Sequence, residues 1–325
     1  MSDYPASPVI SVIIPTYNME PWITDTIHSV LKQSFSNFEC IIIDDGSTDN
    51  TVSTIQQIHD PRLHILQQTN QGVSAARNTG LSHAKGQYIA FLDGDDLWDP
   101  QFLQIMLNAL QTSPGSKLSW CNTVMFMDVT YKKKPQPWGN IHKTGNIWWD
   151  FLQHPYFTMG AFLVETQLIK HIGIFDTTLL VGEDRDFILR ILAYLYSKPS
   201  SFAQVVHIPI PLKFYRIHTR NSVKKYASQA LQDEWYYMKK HIEHPIIPEH
   251  IKKKSYSNLA FKLAVIAAFG TKNISSALSW YTKAIKIHPW NLNLYLLPLK
   301  KCLLSLMPQL KVNIPKSLKT TYSDN

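Results

Sequence analysis

The feature that most constrains this chain is a set of four short apolar segments within its first 110 residues. They read "PVISVIIP", "ECIIIDDG", "LHILQQ" and "QYIAFLDG". Continuous apolar runs of this length are typical of strands buried on both faces. Helical patterns such as "EPWITDTIHSVLKQSF" lie between them, and this alternation predicts βαβ units with a largely parallel sheet. The expected fold class is therefore α/β, with helices flanking the sheet.

The pattern changes in the second half of the chain. "KLSWCNTVMFMDVTY" alternates as a strand does, whereas "GEDRDFILRILAYLY" places its apolar residues on one helical stripe. From Ala227 to the end, the sequence predicts helices alone. We therefore expect an α/β domain over residues 1–225, followed by an α-helical C-terminal region over residues 226–325.

The cysteines and the apolar runs indicate a cytoplasmic protein. Cys40, Cys121 and Cys302 are far apart in the chain, which argues against a disulfide framework or a zinc site and favours a reducing compartment. The start "MSDYPASP" lacks a basic region followed by an apolar core, so no signal peptide is expected. No uncharged apolar run reaches the roughly 18 residues that a transmembrane helix needs.

Acidic side chains follow two of the predicted strands directly. Asp44 and Asp45 end the second apolar run, and Asp93 and Asp95 follow the fourth. In an open parallel sheet, ligands bind outside the carboxyl ends of the strands. Four carboxylates at that edge repel one another, so we expect a divalent cation between them, Mn²⁺ or Mg²⁺, held by the D-x-D spacing. No glycine-rich phosphate loop is present, so the metal would hold the substrate's diphosphate.

Four longer stretches of the chain carry a family resemblance. They are "VISVIIPTYNMEPWITDTIHSVLKQSFSNFECIIIDDGSTDNT", "QGVSAARNTGLSHAKGQYIAFLDGDDLWDP", "IGIFDTTLLVGEDRDFILRI" and "FYRIHTRNSV". In this order and spacing they resemble the family-two glycosyltransferases, which are inverting enzymes with a GT-A fold. The resemblance covers residues 8–225 and implies an enzyme that transfers a sugar from a nucleotide diphosphate sugar, a UDP-sugar, to a hydroxyl of a glycan or lipid-linked acceptor.

The resemblance also implies where the donor binds. Tyr17 would pack on the face of the uracil ring, and Asp45 would accept a hydrogen bond from the ring N–H. Arg77, in "SAARN", would reach the base or the phosphates. The donor-binding residues that the resemblance implies are Pro15, Tyr17, Asp45, Arg77, Asp93, Gly94 and Glu183.

Metal binding and proton transfer are assigned by the same resemblance. Asp95 would bind the metal directly, Asp93 would contact the ribose or the metal, and His218 in "FYRIHTRNS" would contact the metal or the diphosphate. Asp184, the aspartate of "GED", would take the proton from the acceptor hydroxyl, as a positioned carboxylate can. Glu183 would lie close to the donor sugar or to this base.

Simpler interpretations remain open for several of these residues. Acidic residues at 183, 184 and 186 begin a helix, where carboxylates also stabilise the positive end of the helix dipole. A lone histidine such as His218 is often structural. Two other functions also fit the sheet: a nucleotidyltransferase that forms sugar nucleotides, and a sugar-nucleotide-binding module without catalytic activity. "IPTYNMEPW" lacks the glycine-rich basic loop of the former, and intact "DGDD" and "GED" argue against the latter.

Charge is distributed very unevenly along the chain. Residues 1–110 contain 4 Lys and Arg against 12 Asp and Glu, whereas residues 250–325 contain 12 Lys against the single Asp324. A basic tail favours an anionic partner, and without the aromatic patterns of RNA binders we expect no nucleic acid. We expect peripheral contact with anionic lipid on the inner face of the cell membrane. The alternative is a tail that packs on the catalytic domain with its lysines facing water.

Overall fold

The computed structural model describes residues 7–127, 147–153, 155, 157–198, 205–218 and 227–290. These residues divide into two compact units, one ending at Ile247 and the other beginning at Pro248. The first helix of the predicted C-terminal region, Ala227–Ile242, belongs to the first unit. A domain boundary at 225/226 stays a prediction.

The first unit contains one mixed sheet of eight described strands. In chain order these are β1 (Ile10–Thr16), β2 (Phe38–Asp44), β3 (Leu63–Gln67), β4 (Tyr88–Phe91), β5 (Leu97–Trp98), β6 (Leu118–Met127), β7 (Phe162–Glu165) and β8 (Val205–Ile217). Their order across the sheet is β3-β2-β1-β4-β7-β6-β8-β5. The first four strands are parallel to one another, as the sequence predicts. Strand β7 runs antiparallel to both of its neighbours, and β5 runs antiparallel to β8.

Helices flank this sheet. They are α1 (Ile23–Leu31), α2 (Thr51–Gln56), α3 (Val73–His83), α4 (Phe102–Thr112), α5 (Trp148–Gln153), α6 (Thr166–Ile172), α7 (Glu183–Tyr196) and α8 (Ala227–Ile242). Every residue of β1 and β2 is buried, because helices cover both faces of these strands and their side chains have no access to water. Gly80 brings α3 close to the sheet: a Cβ there would lie 2.4 Å from Ile13 Cγ2.

The sheet order places the candidate site. Strand β1 has β2 on one side and β4 on the other, and the carboxyl ends of these parallel strands share one edge. A crevice forms at the point where the chain switches from one side of the first strand to the other. The segments 15–19, 44–47 and 92–96 all begin at this edge.

The second unit consists of helices where it is described. Helix α9 (Glu249–Val265) continues into a π-helical turn (Ile266–Gly270), and α10 (Ile274–Ile287) follows. Ala260 and Ala284 are fully buried where these two helices meet. The predicted helices over 291–325 lie outside the described residues. Among the helices that the structure describes, none combines the length and the apolar character that crossing a lipid bilayer requires.

Candidate active site

The ends of β1 and β2 form the first part of the site. Asp45 is buried, and its carboxylate accepts three hydrogen bonds, from Gln68 Nε2 (2.8 Å), Gln71 N (2.9 Å) and Gly72 N (2.8 Å). These bonds fix the loop that leads into α3. Tyr17, one residue past β1, is 42% exposed, so its ring is open to a ligand.

Within the described part of the chain, three buried oxygen atoms at the ends of β1 and β2 and the start of α3 have no hydrogen-bond partner. They are Thr16 Oγ1, Asp44 Oδ1 and Ser74 Oγ. Thr16 and Asp44 are paired in the register of β1 and β2, and Ser74 lies in the first turn of α3. Buried polar groups are almost always paired, so these atoms point to ligand groups. Thr16 and Ser74 are absent from the sequence-based site, although their positions at a strand end and a helix start could have indicated them.

Arg77 joins two acidic segments that are more than 80 residues apart in the chain. Its guanidinium donates to Asp93 Oδ1 at 2.8 Å and to Glu183 Oε1 at 3.0 Å. The Arg77 side chain is only 3% exposed, and its charge centre lies 5.3 Å from the ring centroid of Phe175. Burial opposes the Asp93 charge, yet the cations of Arg77 and Lys213 hold the pKa of Asp93 below its usual value. The predicted contact of Arg77 with the base or phosphates stays a prediction.

Asp95 and His218 form a contact pair at the same edge. Asp95 Oδ2 lies 2.9 Å from His218 Nε2, although 123 residues separate them. The imidazole of His218 stacks on Trp22 with 3.8 Å between ring centroids, which fixes the orientation of the ring. The structure thus brings together two of the three residues that the resemblance assigns to the metal, Asp95 and His218, from separate motifs.

Asp96 points the other way, into the protein. It is fully buried, with its Oδ2 3.0 Å from Lys213 Nζ and its Oδ1 accepting from the backbone N–H of Arg216 at 2.9 Å. Burial raises the pKa of Asp96 to about 7 although Lys213 lowers it. Lys213 also donates to Thr158 Oγ1 and to the carbonyl of Met159.

These contacts bear on the argument that four carboxylates at this edge, Asp44, Asp45, Asp93 and Asp95, need a divalent cation between them. Protein side chains lie against the carboxylates that follow β4, so repulsion there does not by itself require a cation. Arg77 pairs with Asp93, Lys213 with Asp96, and His218 lies against Asp95. Two of these bases, Lys213 and His218, are contributed by β8 and the residue that follows it, about 120 residues further along the chain.

The donor set still fits a divalent cation of a particular kind. Within the part of the chain that the structure describes, no three or more His, Cys, Asp or Glu residues come together as a complete metal site. Mg²⁺ and similar cations usually take one or two protein ligands and complete their coordination with substrate phosphates and water. Asp95 supplies one carboxylate of this kind, and His218 lies beside it.

The start of α7 contains Glu183, the second carboxylate that Arg77 contacts. We call the contacts of Arg77 with Asp93 and Glu183 the Arg77 bridge. Gly182 precedes the helix with a left-handed φ of 82°, and Glu183 and Asp184 occupy the first turn. One carboxylate oxygen of Asp184 accepts from the backbone N–H of Arg185 at 2.8 Å. Asp186 behaves differently: it is buried and pairs with Arg190 at 2.8 Å, which is a structural contact within α7.

Glu183 should make folding stability depend on pH. Burial and the neighbouring Asp184 raise its pKa to about 7, against the effect of Arg77. The folded state then holds a proton that the unfolded state releases above about pH 4.5, so the free energy of unfolding falls as pH rises from there through 7. We expect the wild type to lose on the order of 3 kcal/mol more than Glu183→Gln over this window. Urea unfolding of both proteins at several pH values measures the difference, and identical pH dependence would contradict it.

Aromatic faces suit sugar rings, so Trp148, Trp149 and the stretch "HPYFTMG" (154–160) are sequence candidates for an acceptor cleft, with core packing as the alternative. Trp148 is fully buried and packs against Tyr196 and His244, so it belongs to the core rather than to a cleft wall. Trp149 is half-buried and also packs against Tyr196. Residues 154 and 156, from the same stretch, lie outside the described residues.

Sequence comparison relates this chain to known glycosyltransferases. The family model described as "Glycosyl transferase family 2" matches residues 11–173. The chain is 47% identical over 103 residues, 31% of its length, to a putative teichuronic acid biosynthesis glycosyltransferase, TuaG, of Bacillus subtilis. It is 41% identical over 113 residues, 34% of its length, to WfgD of Escherichia coli, a UDP-Glc:alpha-D-GlcNAc-diphosphoundecaprenol beta-1,3-glucosyltransferase. The matched segments span between 28% and 42% of the first curated relatives' own lengths.

Solved structures match over a larger part of the chain. Residues 1–349 of S. aureus TarS, in complex with UDP-GlcNAc, align with a TM-score of 0.62 at 20% identity, covering 86% of this chain and 81% of that one. The mannosyltransferase PcManGT of Pyrobaculum calidifontis, in complex with GDP-Man and Mn²⁺, aligns with a TM-score of 0.59 at 19% identity, covering 97% and 83%. The sheet and its helices therefore have the GT-A fold that the sequence predicts.

Proposed function

This chain belongs to glycosyl transferase family 2, and from that membership we propose that it transfers a sugar from a nucleotide diphosphate sugar to a hydroxyl group of a glycan or lipid-linked acceptor. The observation that carries the proposal is the Arg77 bridge. Arg77 contacts Asp93, in the turn after β4, and Glu183, at the start of α7, so these two acidic segments lie close together. A donor's diphosphate and an acceptor's hydroxyl need such neighbouring sites.

The donor's nucleotide is proposed to lie over the ends of β1 and β2, beside Pro15, Tyr17 and Asp45. The exposed Tyr17 ring offers a stacking face for a base. Buried, unpartnered oxygens of Thr16 and Asp44 lie at the same edge. TarS binds UDP-GlcNAc and PcManGT binds GDP-Man, so both bases are tested below. A UDP-sugar is the donor that we propose, with Asp93 and Gly94 close to its ribose.

A divalent cation, Mn²⁺ or Mg²⁺, is the proposed cofactor. Asp95 and His218 would hold it, with Asp93 nearby, and when bound it would stabilise negative charge on the departing diphosphate. The complex of PcManGT with Mn²⁺ supports a metal of this type. Asp96 stays outside this set because its carboxylate is buried against Lys213.

Transfer is proposed as a single displacement with inversion at the anomeric carbon. The acceptor oxygen forms the new bond to that carbon while the bond to the diphosphate oxygen breaks, and the bonding pair leaves with the nucleoside diphosphate. Asp184 takes the proton of the acceptor hydroxyl. Arg77 is buried against Glu183. This position favours a role in holding the donor-binding residues close to Asp184, the proposed proton acceptor.

A screen of sugar nucleotides tests this function. The protein is incubated with UDP-, GDP- and dTDP-sugars and Mn²⁺ or Mg²⁺, and release of the free nucleoside diphosphate is measured with and without a polyprenyl diphosphate sugar as acceptor. Acceptor-dependent release from one donor supports the proposal. Pyrophosphate release from a nucleoside triphosphate and a sugar phosphate would instead indicate a nucleotidyltransferase, and binding without turnover would indicate a non-catalytic module.

The acceptor is proposed to be carried by a membrane in polysaccharide biosynthesis. WfgD acts on a diphosphoundecaprenol-linked sugar, and α10 exposes the apolar side chains of Ile274 (64%) and Leu278 (61%). Lysines at 272, 283 and 286 lie on or beside the same helix. Peripheral attachment to the cytoplasmic leaflet would bring the protein to such an acceptor.

Liposome flotation should detect this attachment. The full chain is expected to float with vesicles rich in anionic lipid at low salt and to be released by high salt, because each lysine near the surface contributes about 1 kcal/mol within a Debye length. Leu278→Glu should weaken flotation, since it removes an apolar contact and adds a negative charge. Vesicles of neutral lipid serve as the control. A protein that stays in solution with anionic vesicles at low salt would contradict the membrane location.

A further inference from the structure

Helix α8 carries a row of buried polar side chains that no motif of the sequence accounts for. Asp233, Glu234, Tyr237 and His241 are each at most 5% exposed. At 100° per residue, the spacing i, i+1, i+4 and i+8 places all four within an arc of about 100° on one face of the helix. That face contacts the start of α7 and the loop before it. The helix lies outside the segment that the family model matches.

Asp233 holds the loop that leads into α7. Its Oδ2 accepts two backbone hydrogen bonds, from Leu180 N at 2.9 Å and Val181 N at 3.0 Å. Its Oδ1 accepts from Gln229 Nε2 at 2.7 Å, one turn earlier on α8. A single carboxylate therefore fixes two consecutive peptide groups, the second of which is three residues before Asp184.

Glu234 and Tyr237 hold the first turn of α7. Glu234 Oε1 accepts from Arg185 Nη1 at 2.8 Å, and Glu234 Oε2 accepts from the Tyr237 hydroxyl at 2.8 Å. The Tyr237 ring also covers Gly182: a Cβ at position 182 would lie 2.3 Å from Tyr237 Cε1. Because the backbone N–H of Arg185 donates to the Asp184 carboxylate, anchoring Arg185 also anchors the group that orients Asp184.

His241 completes the row one turn further along. Its Nε2 lies 2.9 Å from Asp186 Oδ1, and Asp186 is also bound by Arg190. The pairing explains why Asp186, though next to the acidic pair, faces the protein interior rather than a substrate.

These contacts are of a kind that orients the start of α7 rather than one that only fills space beside it. Buried polar and charged groups reduce stability unless each is paired, and apolar side chains would fill the same space with less penalty. Hydrogen bonds are directional, so this row fixes the angle and register of the α7 start. A displacement of about 1 Å at a reacting group can lower a rate by about 100-fold.

We infer that α8 positions the proton-accepting carboxylate: Asp233, Glu234 and Tyr237 hold the turn that carries Asp184, and they act through it without touching the substrates. This inference rests on the proposed function, in which Asp184 is the base. These three are positioning residues, and the reaction steps themselves are unchanged.

The decisive comparison is between two replacements of Asp233. Asp233→Asn keeps an oxygen acceptor for the amides of Leu180 and Val181, and the Gln229 amide can turn over to accept from the new NH₂ group. Asp233→Leu has a similar size but no acceptor. We expect kcat for transfer to fall by about 10- to 100-fold in Asp233→Leu and to stay within about threefold of wild type in Asp233→Asn, with the KM for the donor within about twofold in both. Equal kcat in the two variants would overturn the inference, as would a loss confined to donor KM.

A matched pair of tyrosines separates the hydroxyl contact from general effects on α8. Tyr237→Phe removes the hydroxyl that donates to Glu234 and interacts with Arg185, whereas Tyr236→Phe changes the neighbouring ring, which is 57% exposed. We expect kcat to fall about threefold to tenfold in Tyr237→Phe and to be unchanged in Tyr236→Phe. Equal effects of the two changes would count against the role of Tyr237.

Hydrogen exchange tests, independently of activity, the two hydrogen bonds from Leu180 N and Val181 N to Asp233, which we call the latch. In Asp233→Leu, the amides of Leu180 and Val181 should exchange at least about tenfold faster than in wild type, while the amides of β1 and β2 keep their protection. Donor binding, measured by calorimetry with UDP, reports separately on the proposed function. If the wild type binds no nucleotide but Asp233→Leu still shows this faster local exchange, the proposed function is contradicted while the structural role of Asp233 stands. Unchanged exchange at these two amides would remove the latch itself, and general loss of protection would show that Asp233 stabilises the whole fold.

Discussion

Replacing Asp184 with asparagine is expected to lower sugar transfer by about two to four orders of magnitude while donor binding stays nearly intact, because a positioned base contributes about that much to a rate. Asparagine keeps the size of the side chain and an oxygen that can accept from Arg185 N, so the first turn of α7 should remain formed. It cannot take a proton from the acceptor hydroxyl. Transfer is measured with the donor found in the screen, and binding by calorimetry with UDP.

The neighbouring acidic residues provide the controls for this change. Asp186→Asn alters a carboxylate that is paired inside the protein with Arg190 and His241, so it should affect stability more than transfer. Glu183→Gln alters the partner of Arg77 and should keep the base. If Asp184→Asn transferred sugar normally while either of these two variants did not, the assignment of the base within this segment would be wrong.

Replacing Asp95 with alanine is expected to abolish activity, by about a thousandfold or more, while the protein stays folded. The metal's stabilisation of the departing diphosphate is worth several kcal/mol, and Asp95 is its proposed carboxylate ligand. Asp99→Ala is a suitable control, because Asp99 lies in the same stretch but its carboxylate accepts from the backbone N–H of Gln101. Circular dichroism confirms folding.

Removal of the metal should reproduce the effect of Asp95→Ala. Calorimetry of UDP with and without Mn²⁺ shows whether the metal enters together with the diphosphate, and Asp95→Ala should eliminate the difference between the two titrations. Full turnover of the wild type in excess EDTA would exclude a required divalent cation.

The first half of the fold follows from local sequence patterns because β1 and β2 are buried on both faces. The expectation of double burial is wrong for β3, whose residues are half-buried or exposed, because it lies at the edge of the sheet. Apolar runs such as Val12–Ile14 and Cys40–Ile43 predict β1 and β2, and parallel neighbours need a crossover connection, usually a helix. The second half is less accessible to such reasoning. Strand β7 inserts between β4 and β6 in an antiparallel direction, and β5 has only two residues. Their pairing depends on tertiary packing rather than on periodicity.

Some residues of the candidate site can likewise be predicted from the sequence, and others cannot. The acidic clusters after β4 and at the start of α7 are visible in the sequence, and the family resemblance gives roles to Asp93, Asp95, Glu183 and Asp184, as it does to Arg77 and His218. The buried cation beside Asp96 is not visible in the same way. Lys213 lies within the strand-like "VVHIPIPLKFY", with nothing local to show that it would be buried against Asp96. Asp233 and Glu234 resemble ordinary solvent-facing residues of a polar helix until α8 is docked on α7.

The Arg77 bridge has a thermodynamic consequence for how the two substrates bind. One guanidinium contacts both Asp93 and Glu183, so its charge is shared between the proposed donor side and the proposed acceptor side. A diphosphate that draws this cation toward Asp93 weakens its hold on Glu183, and the proton affinity of Glu183 must change. Binding linkage is reciprocal: whatever factor the donor imposes on the acceptor's affinity, the acceptor imposes on the donor's. Under the proposed function, we therefore expect Arg77 to couple the two binding steps, so that donor affinity measured with and without acceptor differs by the same factor as acceptor affinity measured with and without donor.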